Sequence, residues 1–92
     1  MSIGIGRADG SLQRALALDP GNSAVVSFAS VLAVSLGRFG EALELARRAI
    51  ALDPLNAVSY GSQAVIYSDM GRQEEAEVNF KKALELNTES SW

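Results

Sequence analysis

The chain of 92 residues contains no cysteine and no histidine. Without cysteine it can form neither a disulfide nor a thiolate nucleophile, and without histidine it lacks most zinc ligand sets and every imidazole-activated nucleophile. Positive charge is also scarce, since 8 Lys and Arg against 11 Asp and Glu give a net charge of −3 at pH 7. That balance argues against binding to a phosphate backbone. We therefore expect no enzyme, no metal, no cofactor and no nucleic-acid partner.

Long apolar runs and targeting signals are missing as well. The N-terminus has no basic segment followed by an apolar one, so it does not read as a signal peptide. Residues 20–37 carry no charge, but serines interrupt them repeatedly and the apolar stretch is too short to span a bilayer. We therefore expect no membrane insertion and a cytoplasmic protein.

What the sequence does contain is an internal repeat with a period of 34 residues. ALALDP at residues 15–20 returns as AIALDP at 49–54 and, weakened, as ALELNT at 83–88. GRFGEA at residues 37–42 returns as GRQEEA at 71–76. A fixed period of this length is typical of stacked supersecondary units, and it favours binding over catalysis.

Start and stop signals divide each period into helices. Asn22 and Asn56 are suitable N-caps, and Gly37 and Gly71 can end helices in the left-handed conformation. No strand pattern competes with these signals. The sequence predicts an all-α fold with about five helices, at residues 7–18, 23–36, 39–52, 57–70 and 73–86.

These residues resemble the tetratricopeptide repeat, an antiparallel helix pair that stacks into an α-solenoid. The resemblance is carried by Gly37, Phe39 and Ala42, by residues 49–56, and by Gly71, Ala76, Phe80, Ala83, Leu84 and Leu86. It implies a partial repeat at 7–22 and full repeats at 23–56 and 57–90. We predict a flexible tail at residues 1–10 and a single domain at 11–92.

The sequence also departs from the family pattern. The places of the family's usual Trp and Tyr in the first helix hold Val26 and Ala33 in the first full unit, and Tyr60 and Tyr67 in the second. Thr88 stands where the turn proline of the earlier units stood, so the array is expected to fade there. Trp92 could begin a further helix or fold back over the end of the array.

In the family, the first helices of successive units line a concave groove that binds peptides. The resemblance implies a groove that takes an apolar helix or an extended peptide. By register, its lining would be Ala24, Ser27, Phe28, Val31, Val34, Ser35, Val58, Gly61, Ser62, Val65, Ser68 and Asp69. A clamp for a peptide carboxylate, as in some chaperone adaptors, is not expected, because Ser27, Val31 and Ser62 occupy the matching places and none is cationic.

The helix at residues 23–36 has no charged face, so either its own neighbours or another chain must bury it. The array also starts and stops without polar capping elements. We expect self-association through the ends, at Leu12, Leu16, Phe80 and Leu84, giving a homo-oligomer, most simply a dimer that could exchange helices.

Three functions remain open on the sequence. The leading one is a protein-interaction module that displays an apolar groove. The second is a self-assembling structural unit whose groove and ends are occupied by its own copies. The third is a repeat segment of a larger enzyme or regulatory protein that carries its chemistry elsewhere.

Overall fold

A computed structural model describes the backbone of residues 3–90 and the side chains of residues 10–87. The described residues form five α-helices and no strand. The helices are α1 (Ile3–Leu18), α2 (Ser23–Ser35), α3 (Phe39–Leu52), α4 (Ala57–Asp69) and α5 (Gln73–Ser90). The predicted all-α fold of about five helices is therefore confirmed.

Both predicted N-caps are present. The side-chain oxygen of Asn22 accepts hydrogen bonds from the backbone N–H groups of Ala24, at 2.9 Å, and Val25, at 3.3 Å. Asn56 accepts one from the N–H of Val58 at 3.0 Å. Because the first turn of a helix has no intrahelical acceptor for these donors, each asparagine sets the residue at which its helix begins.

Glycine ends both first helices. Gly37 has φ 75° and Gly71 has φ 79°. Other residues rarely adopt this left-handed conformation, because their Cβ atom would clash with the backbone. The reversal lets the N–H of Arg38 reach the carbonyl of Ala33 at 2.9 Å, and a bond one repeat later joins Arg72 to the carbonyl of Tyr67 at 2.8 Å. These are the bonds of a helix C-terminus closed by a left-handed residue.

Two helices are longer than the sequence predicts. α1 begins at Ile3 rather than at Arg7, and α5 continues to Ser90 rather than ending at Leu86. Thr88 lies inside α5, because threonine, unlike the proline of the earlier turns, keeps its N–H and does not clash with the preceding turn. The flexibility of residues 1–10 and the repeat boundaries stay predictions, and Trp92 lies outside the described residues.

The helices stack in chain order, and α2 and α4, the first helices of the two full repeats, lie at the centre. α2 packs against α1, α3 and α4, and α4 packs against α2, α3 and α5. The core is a cluster of buried apolar side chains from the first four helices, consisting of Leu12, Val26, Ala29, Ala33, Ala42, Leu45, Ala46, Ala49 and Ile66. Many members are alanines, which let the helices lie close together.

Serine side chains join α2 to α4. The hydroxyls of Ser27 and Ser59 lie 3.0 Å apart and are both fully buried. The amide nitrogen of Asn56 donates to the hydroxyl of Ser23 at 2.7 Å, and the hydroxyl of Ser30 donates to the carbonyl of Ser27 at 2.6 Å. Much of the surface of α2, the helix without charged residues, is therefore covered within the chain. On the side that packs against α4, its serine hydroxyls form hydrogen bonds within the protein instead of with water.

Candidate interaction surfaces

Seven of the residues predicted to line a groove lie on one exposed side of α2 and α4. We call this surface the α2–α4 face. It consists of Ala24, Phe28, Val31 and Ser35 on α2 and of Val58, Val65 and Asp69 on α4. Spacings of three, four and seven residues place side chains on the same side of a helix, and α2 and α4 pack against each other.

The α2–α4 face is predominantly apolar. Phe28 is 52% exposed, Val31 37%, Val58 57% and Val65 38%. Ala24 and Val58 occupy equivalent places one period apart, as do Val31 and Val65, so the face repeats along the stack. Asp69 adds a carboxylate to the face, at the place that Ser35 holds in the preceding unit.

The other predicted groove residues lie below this surface. Val34, Gly61 and Ser68 are half-buried. Ser27 is 0% exposed and Ser62 is 8% exposed, which corrects the prediction that they line the surface. Ser27 is buried because its hydroxyl forms a hydrogen bond with that of Ser59, at the contact between α2 and α4.

The predicted self-association ends differ from each other. Leu12 is 0% exposed and belongs to the main core cluster, and Leu16 packs against that cluster. Phe80 is 44% exposed and Leu84 66% exposed. The prediction is therefore wrong for Leu12, because the side of α1 that carries it packs against α2, the helix that follows.

A shallow depression that we did not predict lies between α4 and α5. Its volume is about 320 Å³ and its lining is Tyr67, Glu74, Glu75, Val78 and Asn79. None of these residues was predicted to bind anything. The guanidinium of Arg72 lies 5.3 Å from the ring centre of Tyr67 and forms an ion pair with Glu75, so the rim of the depression is polar.

A polar pair lies beside this depression. The amide nitrogen of Gln63 donates to the side-chain oxygen of Asn79 at 3.1 Å, and Asn79 in turn donates to the carbonyl of Glu75 at 2.8 Å. One period earlier the same two places hold Ala29 and Leu45, both in the apolar core. The only sequence signal was this replacement of two apolar residues by two amides.

Neither a metal centre nor a membrane span is found in the part of the chain that the structure describes. No three His, Cys, Asp or Glu side chains there are grouped so that they could hold a metal ion. None of the described helices combines the length and the apolar character needed to cross a membrane.

Comparison with known proteins identifies the repeat. Residues 45–78 match the family model of the tetratricopeptide repeat, a stretch as long as the internal period. No curated protein matches the chain. Among solved structures, MamA MSR-1 C2 is 32% identical with a TM-score of 0.78, and the match covers 97% of this chain.

The match covers 53% of the MamA chain, so this chain spans about half the length of that structure. MamA is a tetratricopeptide-repeat-containing protein, and the superposition extends over nearly all of the helices described above. The resemblance stated from the sequence is confirmed. Residues 45–78 are similar to the tetratricopeptide repeat, and the chain has a helical fold like that of MamA.

Proposed function

We propose that this chain is a protein-interaction module that binds an apolar helix or an extended peptide along the α2–α4 face. The repeat and the similarity to MamA support an interaction module in general. The observation that supports this particular surface is the repeated row of exposed apolar side chains, Phe28 and Val31 on α2 and Val58 and Val65 on α4.

The energetics favour an apolar ligand. Full burial of a Val or Phe side chain is worth about 1.5–3 kcal/mol, and these four still have between a third and a little over half of their surface in water. A partner that covers them recovers that remaining part. A charged ligand group finds little to pair with on the face itself, since its only ionisable member is Asp69.

The test compares two charge-insertion variants. Peptides are first selected from a random display library on the wild-type chain, and their affinities are measured by fluorescence anisotropy. We expect the double variant Val31→Glu with Val65→Glu to stay helical by circular dichroism and to bind the selected peptides at least tenfold more weakly. Both substituted positions are exposed enough to carry a carboxylate without unfolding the core.

The matched control is Val78→Glu. Val78 is 66% exposed on α5, outside the α2–α4 face, so the same substitution there adds one carboxylate, where the double variant adds two, without touching the proposed surface. We expect it to leave affinity unchanged. Equal binding by the wild-type chain and the double variant would show that the α2–α4 face is not the contact surface.

Self-association remains a second candidate, which now depends on Phe80 and Leu84, since Leu12 is buried. It predicts a mass above that of one chain in light scattering at high concentration, and a mass of one chain would exclude it. The third candidate, a repeat segment of a larger regulatory protein, and the cytoplasmic location also stay predictions from the sequence.

A further inference from the structure

The two helices that carry the α2–α4 face run in the same direction. The side-chain amide of Asn56, the N-cap of α4, donates to the hydroxyl of Ser23, the first residue of α2. One turn further along both helices, the hydroxyls of Ser27 and Ser59 lie 3.0 Å apart. Each helix has 13 residues. The two helices therefore begin together at one end of the face, its N-terminal end, and finish together at the other, its C-terminal end.

The C-terminal end of the face is its negative end. The aligned peptide dipoles of an α-helix place about half an elementary negative charge at the C-terminus, and here two such ends lie together. α2 finishes at Ser35 and α4 at Asp69, so the carboxylate of Asp69 adds its charge at the same end. A carboxylate at this position is unfavourable by itself, whereas a cation is favourable. This end of the face therefore attracts a positively charged group.

Among the described residues, no cation of this chain neutralises Asp69. Its side chain is exposed and forms no ion pair with any residue that the structure describes. Arg72 is only three residues further along the chain. Its guanidinium, however, pairs with Glu75 and lies 5.3 Å from the ring centre of Tyr67. The carboxylate of Asp69 is therefore accessible to a cation of a ligand.

The N-terminal end of the face has no comparable attraction for an anion. The N–H groups of Ala24, Val25 and Val58 in the first turns already donate to the side chains of the capping asparagines. The face also contains neither lysine nor arginine. Its charge preference therefore comes from the C-terminal end.

We infer that the peptide bound on the α2–α4 face carries an arginine or a lysine beside its apolar residues, and that this cation pairs with Asp69. The inference rests on the proposed function, since it names the chemistry of the ligand for the same face. Val31 and Val65 lie four residues, about one turn, before Ser35 and Asp69, so a cation close to the apolar contacts can reach the carboxylate. Apolar contact is non-directional, and the ion pair therefore decides which end of the peptide lies at the C-terminal end of the face.

The probe is the set of peptides selected from the random display library on the wild-type chain. We expect these peptides to share an arginine or a lysine at one end of an apolar segment. In a synthetic peptide of this set, replacement of the cation by glutamine should weaken binding to the wild-type chain about threefold to fivefold, as is usual for an exposed ion pair. Added salt should reduce this difference, because salt screens exposed charges.

A matched pair of variants isolates the ion pair. Asp69→Asn should weaken binding of the cationic peptide by the same factor and bind the glutamine peptide as the wild-type chain does. Such coupling in a double-mutant cycle reports a direct interaction rather than a general effect on the fold. The control is Glu77→Gln, which removes a carboxylate from an exposed position of α5 outside the face. It should leave both affinities unchanged.

A nitroxide spin label at the cationic end of the peptide tests the direction of binding. We expect it to broaden the backbone amide NMR signals of Ser35 and Asp69 more than those of Ala24 and Val58, which lie near the N-terminal end. The reverse pattern would contradict the inference.

The remaining outcomes separate the inference from the proposed function. Selected peptides without a shared cation, or equal binding of the cationic peptide by the wild-type chain and Asp69→Asn, overturn the inference alone, provided that Val31→Glu with Val65→Glu still abolishes binding. A library that yields no binder, or peptides that bind this double variant unchanged, overturns both. A dimer in light scattering that the double variant converts to a monomer would show that a second copy covers the face, and it would also overturn the inference.

Discussion

The two hairpins of this chain, α2–α3 and α4–α5, have related sequences and different surroundings. In the first hairpin Ala46 is fully buried and Ser27 is hydrogen-bonded to the next helix. In the second hairpin the equivalent places hold Phe80, which is 44% exposed, and Gly61, which has no hydroxyl. The comparison teaches that exposure in this stack depends on which helix follows, and not on how apolar the residue is.

The largest expected effect compares two leucines. Leu12→Ala should lower the free energy of unfolding by about 2–5 kcal/mol, because it leaves a cavity among fully buried neighbours. Leu84→Ala should change it by less than about 1 kcal/mol, since that side chain is 66% exposed. Urea unfolding followed by circular dichroism measures both. Equal losses would mean that the two ends of the stack are buried alike.

The two capping asparagines sharpen the comparison at a smaller scale. Asn22→Ala should cost about 1 kcal/mol through the lost cap. Asn56→Ala should cost about 2 kcal/mol, because Asn56 caps α4 and also donates to the buried hydroxyl of Ser23 at 2.7 Å. Asn22 also donates to the exposed carboxylate of Asp19 at 3.1 Å, so the difference between the two losses, measured by urea unfolding, compares that local bond with the bond between hairpins. If the two losses are the same, the bond between hairpins contributes no more to stability than the local bond.

The smallest effect should be a gain. Gly61 lies inside α4, and a Cβ atom built on it meets no heavy atom within 4 Å. Gly61→Ala should therefore raise the free energy of unfolding by about 0.5–1 kcal/mol through helix propensity. A thermal melt measures the change. A loss would indicate that the surroundings of Gly61 are more closely packed than the structure shows.

Local signals predicted most of the secondary structure. Asn22, Asn56, Gly37 and Gly71 mark helix ends by hydrogen bonds and backbone angles that involve residues close in the chain. The start of α1 at Ile3 and the extension of α5 past Thr88 were missed because neither end carries a strong breaker. Helix boundaries without a cap or a proline depend on weak propensities, and these do not fix a residue.

The candidate surfaces were predicted less well than the helices. Phe28, Val31, Val58 and Val65 are exposed, and their part in binding stays a prediction. Ser27 was misplaced, because a serine suits both a wet surface and a buried hydrogen bond, and only its neighbour Ser59 distinguishes the two. The depression that includes Asn79 was missed because it forms only where side chains of α4 and α5 meet.

The sequence by itself determined the repeat, the helical class, the caps and the turns, because these depend on contacts within a few residues or on a period visible in the letters. Only the tertiary structure decided which apolar residues lie in the core and which face outward. Leu12 and Phe80 occupy the same place in the repeat, but Leu12 is buried and Phe80 is exposed. The next helix, α2, packs against the helix that carries Leu12, whereas among the described residues no helix follows the one that carries Phe80. The burial of a side chain depends on which residues pack around it in space, and the identity of a residue at one position does not determine this.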